Sequence, residues 1–233
     1  MKDEFQSQLS AAQAIPIEDV KDPNMPVDVY VQEAEDLYHW AQDDKAVLTG
    51  ANLDWALVDA LRTRAGALRE AQSLWNKTRN TSSETGAEWN TKSKAAFEFR
   101  NDLLADFRYA YRNDPDLLER VSYIAEGDEN SDMVQDLNDL SVLGKANTAP
   151  LENINLDLAK LDKAAELANE MGDLLGKVNG DRKSANEAKV LRDRFYTHLK
   201  AAVDEVRDCG KYKFRKDDSR LKGYVSSYIR RKY

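Results

Sequence analysis

Basic and aromatic side chains alternate along the C-terminal end of the chain, from Lys211 to Tyr233. Lysine and arginine bind phosphate groups, and aromatic rings placed between them can stack on nucleic-acid bases. The same mixture also suits an acidic protein surface. The candidate binding residues are Lys211, Lys213, Arg215, Lys216, Arg220, Lys222, Arg230 and Arg231, and they are interleaved with Tyr212, Phe214, Tyr224 and Tyr228.

The net charge of −8 is divided unevenly along the chain. Residues 207–233 contain ten Lys and Arg against three Asp, so this end carries +7 and residues 1–206 carry −15. Val225 and Ile229 add an apolar side that a fully solvated segment would not need. The charge split favours docking of this end on the protein's own acidic body or on a second copy. Binding to nucleic acid is the alternative hypothesis.

Glu35 and His39 have a spacing that metal sites use. They lie one helical turn apart and could bind one metal ion together. A two-iron site in a helical bundle also needs a second Glu-x-x-His segment and two further glutamates, whereas the only other histidine is His198. The sequence therefore predicts no metal site, and we interpret both histidines as surface or helix-packing residues.

Asp128, Asn130 and Asp132 alternate as the first ligands of a calcium-binding loop do. The later positions do not match, because Met133 stands where the loop needs glycine and Asp139 stands where it needs glutamate. We therefore interpret this segment as a polar loop that caps the following helix. No cofactor is predicted for the chain.

Few residues of this chain are suited to nucleophilic or acid–base catalysis. The sequence has two histidines, one cysteine and no glycine-rich phosphate loop. Cys209 has Arg207 and Lys211 nearby, but no histidine beside it in sequence could activate its thiol. By exclusion, the sequence favours a non-enzymatic helical protein with an interaction or structural role. The alternative is a nucleic-acid-associated protein, and an enzyme that works through carboxylates, lysine or tyrosine comes third.

The elements that carry these residues are predicted to be helices. The sequence is 42% hydrophobic and 33% charged, with only five prolines to interrupt it, and no alternating run of β-branched residues indicates a strand. Apolar residues recur at steps of three and four in five long segments. This pattern predicts an all-α, up-and-down bundle with short connecting helices and a basic C-terminal helix.

Two breaks are predicted between long helices. Residues 151–209 contain two apolar stripes on either side of residues 178–181, which predicts an antiparallel helical hairpin. Polar residues 80–83 and the capping pairs near them predict a new helix start in the eighties. Short helices are expected from Pro115 and over 132–143. The predicted core includes Leu61, Leu103, Phe107, Leu158, Leu161 and Phe195.

The prolines near the start of the chain predict a flexible N-terminal arm over 1–26, followed by a bundle over 27–211 and a basic aromatic C-terminal tail over 212–233. The N-terminus lacks the apolar core of a secretory signal, and one cysteine cannot form an internal disulfide, so a cytoplasmic location is expected. No apolar run has the length of a membrane span, so no membrane contact is expected. The expected partner is a protein or a second copy, with nucleic acid as the alternative.

Overall fold

A computed structural model of the protein describes residues 2–232, with side chains over 3–231. Met1, the first residue of the predicted arm, and Tyr233, the last residue of the predicted tail, lie outside the described residues. The helices are α1 (Lys2–Gln13), α2 (Val27–Gln42), α3 (Lys45–Thr49), α4 (Trp55–Ala110), α5 (Pro115–Ile124), α6 (Asn130–Ala146), α7 (Thr148–Glu152), α8 (Ala159–Lys213), α9 (Asp218–Leu221) and α10 (Ser227–Lys232), with 3₁₀ turns at Ile17–Asp19 and Lys222–Tyr224. Residues 2–232 contain no strand, so the predicted all-α class is confirmed.

The helices α4 and α8 contain 56 and 55 residues, and each replaces two predicted helices. The helix α4 continues through residues 80–83, and α8 continues through 178–181, so the predicted hairpin is wrong. Neither helix contains a proline. Polar residues and glycine in a helix interior each reduce helix stability by at most about 1 kcal/mol. Packing of the helix on both sides of the segment outweighs this loss.

The predicted N-terminal arm differs from the structure, in which residues 2–13 form α1. Phe5 and Ala12 are buried, and the ring of Phe5 lies 4.9 Å from the ring of Phe195. The prolines of this segment follow α1 and therefore do not interrupt it. The apolar residues of α1 are the signal that the proline-based prediction overlooked.

The chain divides into two compact units, each with its own hydrophobic core. Unit 1 comprises Met1–Arg79 and Ser184–Tyr233, and unit 2 comprises Asn80–Lys183. This division differs from the predicted boundaries, because the N-terminal segment and the C-terminal tail both belong to unit 1. The core of unit 1 contains Leu61, Leu68, Phe195, Leu199 and Tyr224, and the core of unit 2 contains Leu103, Phe107, Met133, Leu140 and Leu161.

The short helices of unit 2 begin as the sequence predicts. Asp114 caps α5 by accepting a hydrogen bond from the backbone N–H of Leu117 at 3.1 Å. Asp132 accepts one from the backbone N–H of Glu129 at 3.0 Å, so the acidic segment caps α6, as predicted for the loop that resembles a calcium site. Five of the six predicted core residues are buried, whereas Leu158 is only partly buried. None of the described helices has the length and apolar character that a membrane span requires.

Candidate functional site

The C-terminal tail packs against α2 and against Asp43 and Asp44, which follow α2 in unit 1. The long helix α8 ends at Lys213, and the single helix predicted for the tail is divided into α9, a 3₁₀ turn and α10. Asp217 caps α9 by accepting hydrogen bonds from the backbone N–H groups of Ser219 and Arg220 at 3.1 and 3.2 Å. Gly223, in the 3₁₀ turn, lies against the indole of Trp40 and leaves no room for a Cβ atom.

Tyr224 anchors the tail. Its side chain is fully buried, and its ring stacks on Phe214 with a centroid distance of 5.5 Å. Its hydroxyl donates a hydrogen bond of 2.6 Å to Asp44. Burial, and then the nearby Asp44 carboxylate, raise the pKa of Tyr224 far above its ordinary value, so the phenol stays protonated and remains a donor. The tail is therefore attached through an aromatic core residue and a hydrogen bond to an acidic side chain.

Arg220 makes the second attachment. Its Nη2 atom lies 2.5 Å from Oδ2 of Asp44 and donates to the backbone carbonyl of Trp40 at 3.1 Å. The guanidinium group also lies 4.4 Å from the centroid of the Trp40 ring, within the range of a cation–π contact. The hydrogen bond to Asp44 raises the pKa of Arg220. This predicted binding residue is thus already engaged within unit 1.

Glu33 makes the third attachment and is buried, with 8% of its surface exposed. Its carboxylate accepts hydrogen bonds from the Ser227 hydroxyl at 3.0 Å, from the Tyr228 backbone N–H at 2.9 Å and from Nη2 of Arg207 at 2.8 Å. Burial alone would raise the pKa of Glu33, but these hydrogen bonds together lower it below the ordinary value. The contacts of Glu33, Asp44 and Trp40 confirm the prediction that the tail docks on the acidic body.

The other predicted binding residues of the tail have different partners from one another. Lys211 pairs with Asp208 at 2.8 Å, and Arg215 donates to the backbone carbonyl of Tyr212 at 2.7 Å. Lys213 and Lys222 lie 5.6 Å and 5.9 Å from the rings of Tyr212 and Trp40, respectively. Lys216, Arg230 and Arg231 form no ion pair with any described residue. The structure therefore does not gather the eight cations into one patch.

The residues considered for metal binding and catalysis also lie apart. Glu35 forms an ion pair of 2.9 Å with Arg69, and His39 is exposed on α2. His198 lies 3.0 Å from Oε1 of Gln8, and burial together with Arg64 lowers its pKa to about 4. Burial also raises the pKa of the Cys209 thiol. Within residues 2–232 no group of three or more His, Cys, Asp or Glu side chains is placed to hold a metal ion.

One feature of the sequence could have indicated a residue that accepts hydrogen bonds from the tail. Glu33 lies between Tyr30, Val31, Ala34 and Leu37, all of which face the core of unit 1. A carboxylate on the apolar face of a helix needs buried donors, because an unpaired charge is costly there. That position could have indicated a docking point for the tail, although no sequence pattern indicates which segment supplies the donors.

A second surface lies in unit 2, where α5 and α6 border a groove of about 690 Å³. Two large apolar side chains of this groove, Tyr123 and Val142, are 75% and 60% exposed. The carboxylates of Asp116, Glu119 and Asp139 also line it, against the single cation Arg120. We call this surface the α5–α6 groove, and it was not predicted from the sequence.

Comparison of the chain with protein-family models, with curated proteins and with solved structures gives no match.

Proposed function

We propose that this protein is a non-enzymatic helical protein whose function is to bind a protein partner, and that the α5–α6 groove is the docking surface. The exposure of Tyr123 and Val142 in one groove carries the proposal. Exposed apolar side chains that share a groove are typical of protein contact sites, whereas isolated ones are common on any surface.

The charge of the α5–α6 groove indicates the chemistry of the partner. Three carboxylates and one guanidinium group give its lining an acidic balance. A partner segment with apolar side chains on one face and Lys or Arg on its edges would bury the exposed side chains and offset this charge. An amphipathic basic helix that lies in the groove meets both requirements. We therefore propose a basic amphipathic segment of another protein as the occupant.

Several buried titratable groups support a non-enzymatic role, because they hold elements of unit 1 together. Glu33 and Asp44 attach the C-terminal tail, and His198 lies within hydrogen-bond distance of Gln8 on α1. A cytoplasmic location is part of the proposal and follows from the single cysteine.

Site-specific photo-crosslinking in the native host tests the docking surface. A photoreactive phenylalanine analogue at Tyr123 should capture a protein whose crosslinked peptide is basic and amphipathic, and Val142→Glu should abolish the capture. The matched control is the same analogue at Tyr109, which is 59% exposed in unit 2 but does not line the groove. Equal capture from both positions, or an acidic crosslinked peptide, would contradict the proposal.

Binding to nucleic acid is the second candidate function, and Tyr212 favours it. The ring of Tyr212 is 62% exposed, with Arg215 and Lys213 at 5.2 Å and 5.6 Å from its centroid. An exposed ring between two cations can stack on a base while the cations contact phosphates. Phe214 and Tyr224 do not share this role, because they pack together inside unit 1.

Fluorescence anisotropy with a short single-stranded oligonucleotide tests this candidate. Binding should weaken as salt increases, and Tyr212→Ala should reduce the affinity by about tenfold, since stacking on one base contributes about 1–3 kcal/mol. Tyr109→Ala is the control, because Arg112 lies 4.2 Å from that exposed ring in unit 2. If Tyr212→Ala and Tyr109→Ala both leave the affinity for the oligonucleotide unchanged, nucleic-acid binding through Tyr212 is contradicted.

A further inference from the structure

A cavity of about 320 Å³ in unit 1 has the C-terminal tail as one of its walls. The other walls come from residues 24 and 25, from α2 and from one face of α8. Volumes of this size accommodate small organic molecules. Because the tail supplies Val225, Ile229 and Arg230, the cavity is complete only when the tail is docked. We call it the tail cavity.

The lining of the tail cavity contains four cations and one carboxylate. Lys200, Arg207, Lys211 and Arg230 all border it, and Asp204 is the only carboxylate among the lining residues. Asp204 accepts hydrogen bonds from Lys200 at 2.7 and 2.9 Å, so one lining cation is neutralised inside the cavity. Arg230 forms no ion pair with any described residue. Arg207 and Lys211 are paired with Glu33 and Asp208 at 2.8 Å each, so the unpaired charge that favours an anion in this cavity is that of Arg230.

Tyr30 supplies a second observation that is independent of charge. It lines the cavity and is only 3% exposed, yet its hydroxyl has no hydrogen-bond partner among the described residues. Nε of Arg207 is also buried without a partner. Burial raises the pKa of Tyr30 well above its ordinary value, so the phenol remains a donor at neutral pH. Buried polar groups usually find partners, and here both unpartnered atoms are donors.

The rest of the lining is apolar and aromatic. The ring of Tyr196 lies 4.8 Å from the ring of Tyr30, measured between centroids, and Met25, Val225 and Ile229 complete this side. A ligand that filled the cavity would place an apolar body against these groups and an anionic group against the donors. Inorganic anions would satisfy the donors and leave the apolar side uncovered.

We infer that the tail cavity binds a small organic phosphate, with the phosphate near Arg230, Arg207 and Lys211 and accepting a hydrogen bond from the Tyr30 hydroxyl. A phosphate dianion offers more acceptor oxygens and more charge than a carboxylate, and it therefore suits the unpaired Arg230 together with the two unpartnered donors of this site. The apolar body of the ligand contacts Tyr196 and Ile229. Binding of this ligand stabilises the docked tail, because the tail forms part of the site.

Isothermal titration calorimetry of the full-length protein with phenyl phosphate tests the assignment. Phenyl phosphate should bind. Inorganic phosphate, which lacks the aromatic ring, and benzoate, which lacks the phosphate group, should each bind at least about tenfold more weakly. Binding of benzoate or of inorganic phosphate as tight as that of phenyl phosphate would overturn the assignment to an organic phosphate. No heat from phenyl phosphate at millimolar concentrations would overturn the site itself.

Two pairs of variants locate the binding. Arg230→Gln should weaken phenyl phosphate binding about tenfold, whereas Arg231→Gln, the next residue on α10, should leave it unchanged because Arg231 does not line the cavity. Tyr30→Phe should also weaken binding about tenfold while it leaves the melting temperature of the free protein equal or higher, since it removes an unpaired buried hydroxyl. Equal losses from Arg230→Gln and Arg231→Gln would show general charge attraction and contradict the site.

Discussion

The backbone N–H of Tyr228 donates a hydrogen bond of 2.9 Å to the carboxylate of Glu33, although 195 positions separate the two residues. Glu33 accepts from Arg207 at the same time, so one buried carboxylate connects α2, α8 and α10 within unit 1. The C-terminal tail is therefore a folded part of unit 1, and it is held by polar contacts as well as by the apolar anchor Tyr224.

Replacement of Glu33 by Gln should reduce the free energy of unfolding by about 3 kcal/mol, because it leaves the partly buried Arg207 without its counter-charge. Glu35→Gln on the same helix is the control. Glu35 pairs with the more exposed Arg69, and the loss of such a pair costs less than about 1 kcal/mol. Urea denaturation of both variants measures the difference, and equal losses would show that Glu33 has no special role.

The pH dependence of stability should depend on His198. Its pKa is lowered to about 4 in the fold, against an ordinary value of 6.5, so the unfolded chain binds more protons between these two values. The free energy of unfolding should be insensitive to this group above pH 6.5 and should fall as the pH decreases from 6.5 to 4. In His198→Gln this decline should be shallower, as measured by urea denaturation at several pH values. Identical pH profiles would contradict the burial of a neutral imidazole.

Two glycines of α8 should respond to alanine in opposite directions. A Cβ atom at Gly210 would overlap the ring of Tyr224, so Gly210→Ala should lower the free energy of unfolding by about 1–3 kcal/mol. No atom lies within 4 Å of the corresponding position at Gly180, so Gly180→Ala should raise it by about 0.5–1 kcal/mol through helix propensity. Thermal denaturation followed by circular dichroism distinguishes the two, and a stabilised Gly210→Ala would show that the tail is not packed on α8.

In unit 2, Leu161→Ala should cost about 2–5 kcal/mol, the range for a fully buried leucine. Leu161 is 1% exposed and belongs to the same core as Phe107. Leu158→Ala is the matched comparison, and its cost should be smaller because that side chain is only partly buried. A cost below about 0.5 kcal/mol at Leu161 would place this side chain on the surface.

The predicted helix breaks correspond to a change of hydrophobic core along a continuous helix, and not to a turn of the chain. The compact units meet in sequence between Arg79 and Asn80 and between Lys183 and Ser184, close to both polar segments where the apolar pattern lapses. The lapse marks the place where a helix leaves one core and enters the other. Periodicity alone could not distinguish this change of core from a chain reversal, because both interrupt the apolar stripe in the same way.

Within the candidate site, the composition of the tail favoured docking on the acidic body or on a second copy, but it did not decide between them or give the geometry. The charge split and the apolar residues of the tail indicated a contact with the acidic body. The choice of Glu33 and Asp44 as acceptors depends on contacts between segments more than 170 residues apart, which a local pattern does not encode. The α5–α6 groove was also beyond prediction, since exposure of Tyr123 and Val142 is a property of the packed structure.

Hydrogen exchange of the Tyr228 amide tests most directly whether the tail is a folded part of unit 1. This amide donates to the Glu33 carboxylate on α2, 195 positions earlier in the chain. We predict that it exchanges many-fold more slowly than an amide of an unstructured peptide, because exchange requires the tail to separate from α2. Exchange at the rate of an unstructured peptide would contradict the docked tail and, with it, the tail cavity.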